Sequence, residues 1–154
     1  MALASGDKAP AIKLSDQSGE TVQLKDFKGR KVLVFFYPKD DTPGCTKEAC
    51  NFESALPDFG KLKATVLGVS VLDSASKAKF ATKFKLTFPL LADEDHAVAE
   101  AYGAWGEKSM YGKKYMGIIR SAFLVDEKGK VQEAWPKISP KDTPTNLLAA
   151  LDGS

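Results

Sequence analysis

The spacing of apolar positions changes several times along the chain, and each change marks an element. Residues 11–16 and 20–26, AIKLSD and ETVQLKD, alternate apolar with polar on either side of a Gln-Ser-Gly turn, which predicts a β-hairpin. Residues 31–37, KVLVFFY, form an unbroken apolar run rich in β-branched and aromatic side chains. Such a run has no polar face, so it predicts a strand covered on both sides inside an α/β sheet. From residue 43 the period becomes helical: Cys45, Ala49, Phe52, Leu56 and Phe59 are spaced 4, 3, 4 and 3 and share one stripe. Pro57 is expected to kink or end that helix. Residues 65–71, TVLGVSV, predict a second buried strand, and residues 73–84 a second helix with Asp73 or Ser74 as N-cap.

Downstream come a short FPLLAD segment and a helix around 95–102. The stretch GEKSMYGKKYMG, 106–117, is polar and contains glycine, and reads as a loop. IIRSAFLV and KVQEAW, joined by DEKG, predict an antiparallel hairpin, and a last helix is expected from about Thr143. The first half gives β-α-β with a right-handed parallel crossover, the second β-β-α. That order belongs to an α/β thioredoxin-like fold: a central mixed sheet flanked by helices, here with an N-terminal β-hairpin extension. No repeat, low-complexity tract or linker interrupts it, so residues 1–154 are expected to form a single domain.

Composition narrows the function classes. The 154 residues are 44% apolar and 27% charged, with 22 basic and 20 acidic residues giving a net charge of +2. The charges are scattered, so no nucleic-acid or membrane-surface patch is indicated. The N-terminus lacks a basic segment followed by an apolar one, and no stretch approaches the roughly 20 apolar residues of a membrane span. A reducing compartment is the expectation: a bacterial cytoplasm, or an organelle if a transit peptide has been removed. In that setting two cysteines in a chain able to build its own core favour reactive thiols over a disulfide framework, although free cysteine also often fills space in a core.

Both cysteines lie in PKDDTPGCTKEAC, residues 38–50. Thr42 is placed to cap the predicted helix, Pro43 occupies the first-turn position where its missing N–H is harmless, and Cys45 falls at the third helical position. Unpaired backbone N–H groups and the positive end of the helix dipole there favour a thiolate, which is the nucleophilic form. A core cysteine below a structural cap fits the same local pattern equally well. Cys50 lies five residues on, about 140° around the helix, with Cα atoms about 8.7 Å apart, beyond the ~7 Å at which a disulfide can close. The thiols are therefore independent while both stay helical, and able to bond if the first turns unwind. Two cysteines and the single histidine, His96, fall short of the four ligands of a structural zinc site, and no metal is expected. Asp40 and Asp41 read most simply as a solvated loop.

Pro38, Thr42 and Cys45 in FFYPKDDTPGCTKEACNF form P-x-x-x-T-x-x-C, which resembles the active-site signature of the peroxiredoxins. The four-residue gap to Cys50 is similar to that of the peroxiredoxin Q or bacterioferritin comigratory subfamily, and the likeness continues through GVSVLDS, FPLLAD and RSAFLVDEKG, covering nearly the whole chain. The resemblance implies a thiol peroxidase acting on hydrogen peroxide and organic hydroperoxides. In it Cys45 is the peroxidatic nucleophile, Cys50 the resolving thiol that closes an intramolecular disulfide, and Arg120 the arginine of the site. No cofactor is implied. The implied partners are the peroxide and a thioredoxin or thioredoxin-like reductant, and the protein is expected to be a monomer. One departure is visible: relatives often carry a histidine after D-S-x-x-S, where this chain has Lys77, which leaves the role of that position open.

The chemistry agrees with the resemblance. A thiolate attacking an O–O bond needs a cation and hydrogen-bond donors aimed at the oxygens where negative charge develops. Arg120 can supply the charge, Thr42 a hydroxyl and the helix start its backbone N–H groups, while Pro38 offers no donor and shields the thiolate from water. Two other classes compete. A thioredoxin-type disulfide oxidoreductase uses the same fold and thiols but would be expected to carry C-x-x-C, and a non-enzymatic redox sensor would react with peroxide no faster than a free thiol.

Overall fold

The computed structural model describes residues 5–135 apart from 41, 62 and 111. Strands β1 (Lys13–Ser15) and β2 (Thr21–Gln23) form the expected N-terminal hairpin, followed by a 3-10 turn over Leu24–Phe27. Then come β3 (Lys31–Phe36), α1 (Pro43–Lys61), β4 (Ala64–Ser70), α2 (Ser74–Phe84), β5 (Leu90–Ala92) and the short α3 (Ala97–Ala101). Four strands complete the described chain: β6 (Trp105–Met110), β7 (Lys113–Ile118), β8 (Ser121–Val125) and β9 (Val131–Trp135). The helix expected from Thr143 lies outside the described residues.

Seven strands form one mixed sheet in the order β2-β1-β5-β4-β3-β8-β9. β3, β4 and β5 run parallel through helical crossovers, and β8 joins β3 antiparallel. β3 sits inside this sheet with residues 32–36 all buried, as its unbroken apolar run requires. Its residues divide by the period of a strand. Leu33, Phe35 and Tyr37 pack under α1 and α2, while Val32, Val34 and Phe36 pack with α3 and the N-terminal segment on the opposite face.

The stripe of α1 is buried as its spacing requires, with Cys45, Ala49, Phe52 and Phe59 in the core and Leu56 half-buried against it. Phe52 stacks on Phe35 at 4.3 Å between ring centroids. Gly68 on β4 makes room for that stack, since a Cβ there would stand 2.8 Å from the Phe35 ring. Pro57 neither ends nor breaks α1, which runs on to Lys61. The missing N–H costs one ladder bond, but Phe59, fully buried and 6.0 Å from Phe52, holds the last turn against the sheet.

Two further expectations are corrected. Residues 106–117 are not a loop: β6 and β7 pair antiparallel from Trp105↔Ile118 to Met110↔Lys113. The segment IIRSAFLV is not one strand either, because β7 ends at Ile118 and β8 starts at Ser121. Arg120 stands in the break, where its side chain is not committed to a sheet face.

Candidate active site

β3 ends beside the amino end of α1, and the connection carries Pro38, Asp40 and Thr42. α1 starts at Pro43, which places Cys45 at the third helical position, 1% exposed. The Thr42 carbonyl accepts the first helical bond from the Thr46 N–H at 2.8 Å, so Thr42 stands at the cap position. Its hydroxyl, however, donates to the Lys39 carbonyl at 3.0 Å. With that proton committed, the side chain offers oxygen lone pairs to the site where an O–H donor was expected.

Arg120 reaches the same point from the β7–β8 break. One guanidinium nitrogen, Nη2, donates to Cys45 Sγ at 3.2 Å, and the other, Nη1, donates to Glu48 Oε1 at 2.6 Å. Glu48 lies one turn along α1 from Cys45 and is fully buried, while the Arg120 side chain is 15% exposed. The carboxylate therefore fixes one arm of a planar fork, and the fork geometry directs the other arm at sulfur.

Lys108 on β6 borders this group and donates to the Ile118 carbonyl at 2.9 Å. Burial pulls its pKa down, the neighbouring Arg120 charge adds to that, and the Cys45 thiolate draws it partly back. Cys50, also a free thiol, is half-buried on α1 beyond Cys45. Burial first, and then the Glu53 carboxylate, push its pKa up, so Cys50 stays protonated more readily than an ordinary thiol. Glu53 is held by Thr87, whose N–H and hydroxyl donate to it at 2.6 and 2.7 Å.

The structure thus brings Cys45, Arg120 and the helix start into one cluster, with Thr42 at the helix cap and Pro38 half-buried in the connection that leads to it. Sequence reasoning missed Glu48. Its signal was a carboxylate three residues after Cys45, next to the apolar stripe, where a buried charge needs a partner. Asp40 was misread as solvated: it is 7% exposed and bonded to Tyr37, Ser76 and Lys77. A carboxylate becomes buried when enough donors converge on it, and these come mostly from residues 36 and 37 positions away. Asp41 lies outside the described residues.

A cysteine at a helix start, contacted by an arginine that a buried carboxylate holds, is suited to reducing a weak bond by thiolate attack. Residues 5–134 match the AhpC/TSA family, and the chain belongs to that family. More narrowly, it is a thiol peroxidase of the Bcp or peroxiredoxin Q subfamily. It is 44% identical over 151 residues to peroxiredoxin Bcp of Bacillus subtilis, covering 98% of this chain and 96% of that protein. Peroxiredoxin Bcp of Escherichia coli K12 is 48% identical over 133 residues, 86% of this chain and 85% of that one. Among solved structures, the Xanthomonas campestris bacterioferritin comigratory protein superposes with a TM-score of 0.90 at 38% identity, covering 97% of this chain and 98% of that one. That structure was reported for its alkyl peroxide reduction activity, from trapped intermediate and ligand complexes.

Proposed function

We infer that the protein reduces hydrogen peroxide and organic hydroperoxides, alkyl hydroperoxides among them, through a sulfenic acid at Cys45. The observation that carries this reading is the Arg120 guanidinium shared between Cys45 Sγ and Glu48 at the amino end of α1. The alkyl peroxide activity reported for the Xanthomonas campestris protein supports the substrate class.

In the first step the Cys45 thiolate attacks the terminal oxygen of ROOH. An S–O bond forms, the O–O bond breaks, and RO⁻ leaves and takes up a proton as ROH. Arg120 stabilises the charge that moves from sulfur to oxygen, and the backbone N–H groups of the first turn of α1 add to it. The Thr42 oxygen, its own proton given to Lys39, accepts the peroxide O–H and orients the terminal oxygen. Pro38 presents no donor and keeps water from the thiolate.

In the second step the Cys50 thiolate attacks the sulfenic sulfur, forming the disulfide and releasing hydroxide, which is protonated to water. An external dithiol supplies two electrons and two protons to restore both thiols. A thioredoxin or thioredoxin-like protein is the reductant this cycle suits, and a monomer contains every group the cycle uses.

Rapid mixing with hydrogen peroxide and cumene hydroperoxide tests the assignment. Cys45→Ser is expected to abolish peroxide consumption, whereas Cys50→Ser reacts once and stops as a sulfenic acid that dimedone traps. Peroxide consumption by Cys45→Ser at the wild-type rate would sink it.

A further inference from the structure

The turn that carries Pro38 and Thr42 is tied down by a buried ionic cluster that the steps above do not use. Asp40 lies between those two residues. Its carboxylate accepts hydrogen bonds from the Tyr37 hydroxyl at 2.6 Å, the Ser76 hydroxyl at 2.7 Å, and the Lys77 ammonium at 3.0 and 3.2 Å to its two oxygens. Lys77 is fully buried and also donates to the Ser70 hydroxyl. Ser70 closes β4, and Ser76 and Lys77 stand in the first turn of α2, whose N-cap is Asp73. One carboxylate therefore joins the β3–α1 turn to the ends of two other elements.

The cluster resists displacement for an electrostatic reason. Burial pulls the Lys77 pKa down, and the Asp40 charge draws it back up, with Asp73 and the Cys45 thiolate acting in the same sense. Shifting the turn away from α2 would leave a cation and an anion buried and unpaired, an arrangement proteins avoid. The turn is held at both ends as well, by the Tyr37 N–H donating to the Val69 carbonyl on β4 and the Thr42 hydroxyl donating to the Lys39 carbonyl. The charged groups that act on Cys45 from its own helix and from other elements are Glu48, Arg120, Lys108 and, through space, Lys77, whose charge is offset by that of Asp40 beside it. The bonds that tie Arg120 to Cys45 and Glu48, and Lys108 to Ile118, involve neither Lys77 nor Asp40.

We propose that Lys77, acting through Asp40, is a positioning residue for peroxide reduction: the buried pair sets where Pro38 and Thr42 stand relative to Cys45. The proposal rests on Cys45 being the attacking group. It assigns Lys77 the task of aligning the peroxide, separate from the task of holding the thiolate, which belongs to Arg120.

The test separates alignment from thiolate reactivity. In a Cys50→Ser background, Lys77→Met and the charge-free double variant Lys77→Met/Asp40→Asn are compared with the parent, after thermal melts show which are folded. Each reacts with hydrogen peroxide, which needs an aligned O–O bond, and with iodoacetamide, which needs only an accessible thiolate, as a function of pH. Misplacing reacting groups by an ångström can cost about a hundredfold, so the peroxide rate is expected to fall about ten- to a hundredfold in both variants. The iodoacetamide rate is expected to stay within about threefold in both, and its pH profile to stay unshifted in the double variant, which removes the cation and the anion together. If Lys77→Met does not fold, the double variant decides, since Asp40→Asn leaves no unpaired charge, keeps a carbonyl acceptor for one of the Tyr37 and Ser76 hydroxyls and can donate its amide N–H to the other. A parent-like peroxide rate in the folded double variant overturns the proposal. So does a joint fall of both rates with an alkaline shift in the double variant, which would make the pair act through the thiolate and not through alignment. Failure of the peroxidase reading shows separately, as a parent protein that reacts with peroxide no faster than a free thiol, and it takes the positioning role with it.

Discussion

Oxidising the reduced protein with one equivalent of hydrogen peroxide is expected to melt the amino-terminal turns of α1. Cys45 and Cys50 both lie within the helix, which is continuous from Pro43 to Lys61. Five residues of regular helix separate their Cα atoms by about 8.7 Å, so the pair is about 1.7 Å too far apart for the ~7 Å limit of a disulfide. The bond can close only if the segment between them leaves the helix, which also pulls Glu48 and Cys45 away from Arg120. Phe52 sets the far boundary. It is fully buried and stacked on Phe35, and exposing such a side chain costs roughly 1.5–3 kcal/mol, so unwinding should stop short of it. α1, α2 and α3 hold 19, 11 and 5 residues, so losing the eight residues 43–50 removes a little over a fifth of the described helix. Far-UV circular dichroism should record that loss, and hydrogen exchange read by mass spectrometry should place new exchange between residues 43 and 51, both reversed by a dithiol. A mapped Cys45–Cys50 disulfide in a protein that keeps the reduced form's protection over 43–51 would refute the reasoning.

Two further outcomes follow from the site. Arg120→Ala removes the donor to Cys45 and leaves Glu48 buried without it; loss of such a donor typically costs ~2.7–4 kcal/mol, about a hundred- to a thousandfold in rate. A second-order peroxide rate constant within a few-fold of wild type would place the stabilising charge elsewhere. At Cys50, burial and the Glu53 charge both raise the thiol pKa. Glu53→Gln removes the second cause, so the pKa should fall, the thiolate fraction at a given pH below it should rise, and the pH profile of Cys50 alkylation in a Cys45→Ser background should move to lower pH. An unmoved profile would leave burial as the sole cause.

What could be read without coordinates was whatever depends on local period and cap chemistry. The run KVLVFFY had to be a strand covered on both faces because after Lys31 it has no polar alternation to face water, and β3 is buried from Val32 to Phe36. The 4-3-4-3 stripe and Thr-Pro-Gly had to open a helix with Cys45 at its start, and α1 does so. The β6–β7 hairpin escaped notice because its register joins mostly polar or glycine positions, Gly106 to Gly117 and Lys108 to Tyr115, leaving no alternation to read. Arg120 could be singled out only by resemblance, since nothing local distinguishes an arginine before a strand from one on a surface. Its distance to Cys45, the burial of Glu48 and the enclosure of Lys77 by Asp40 and Ser70 were decided by the tertiary fold. The reason is physical: apolar burial is nearly additive and leaves a periodic trace in the chain, whereas a charge is stable inside only when partners arrive from elsewhere. Here they arrive from 72 residues away for Glu48 and 37 for Lys77, and only packing sets those encounters.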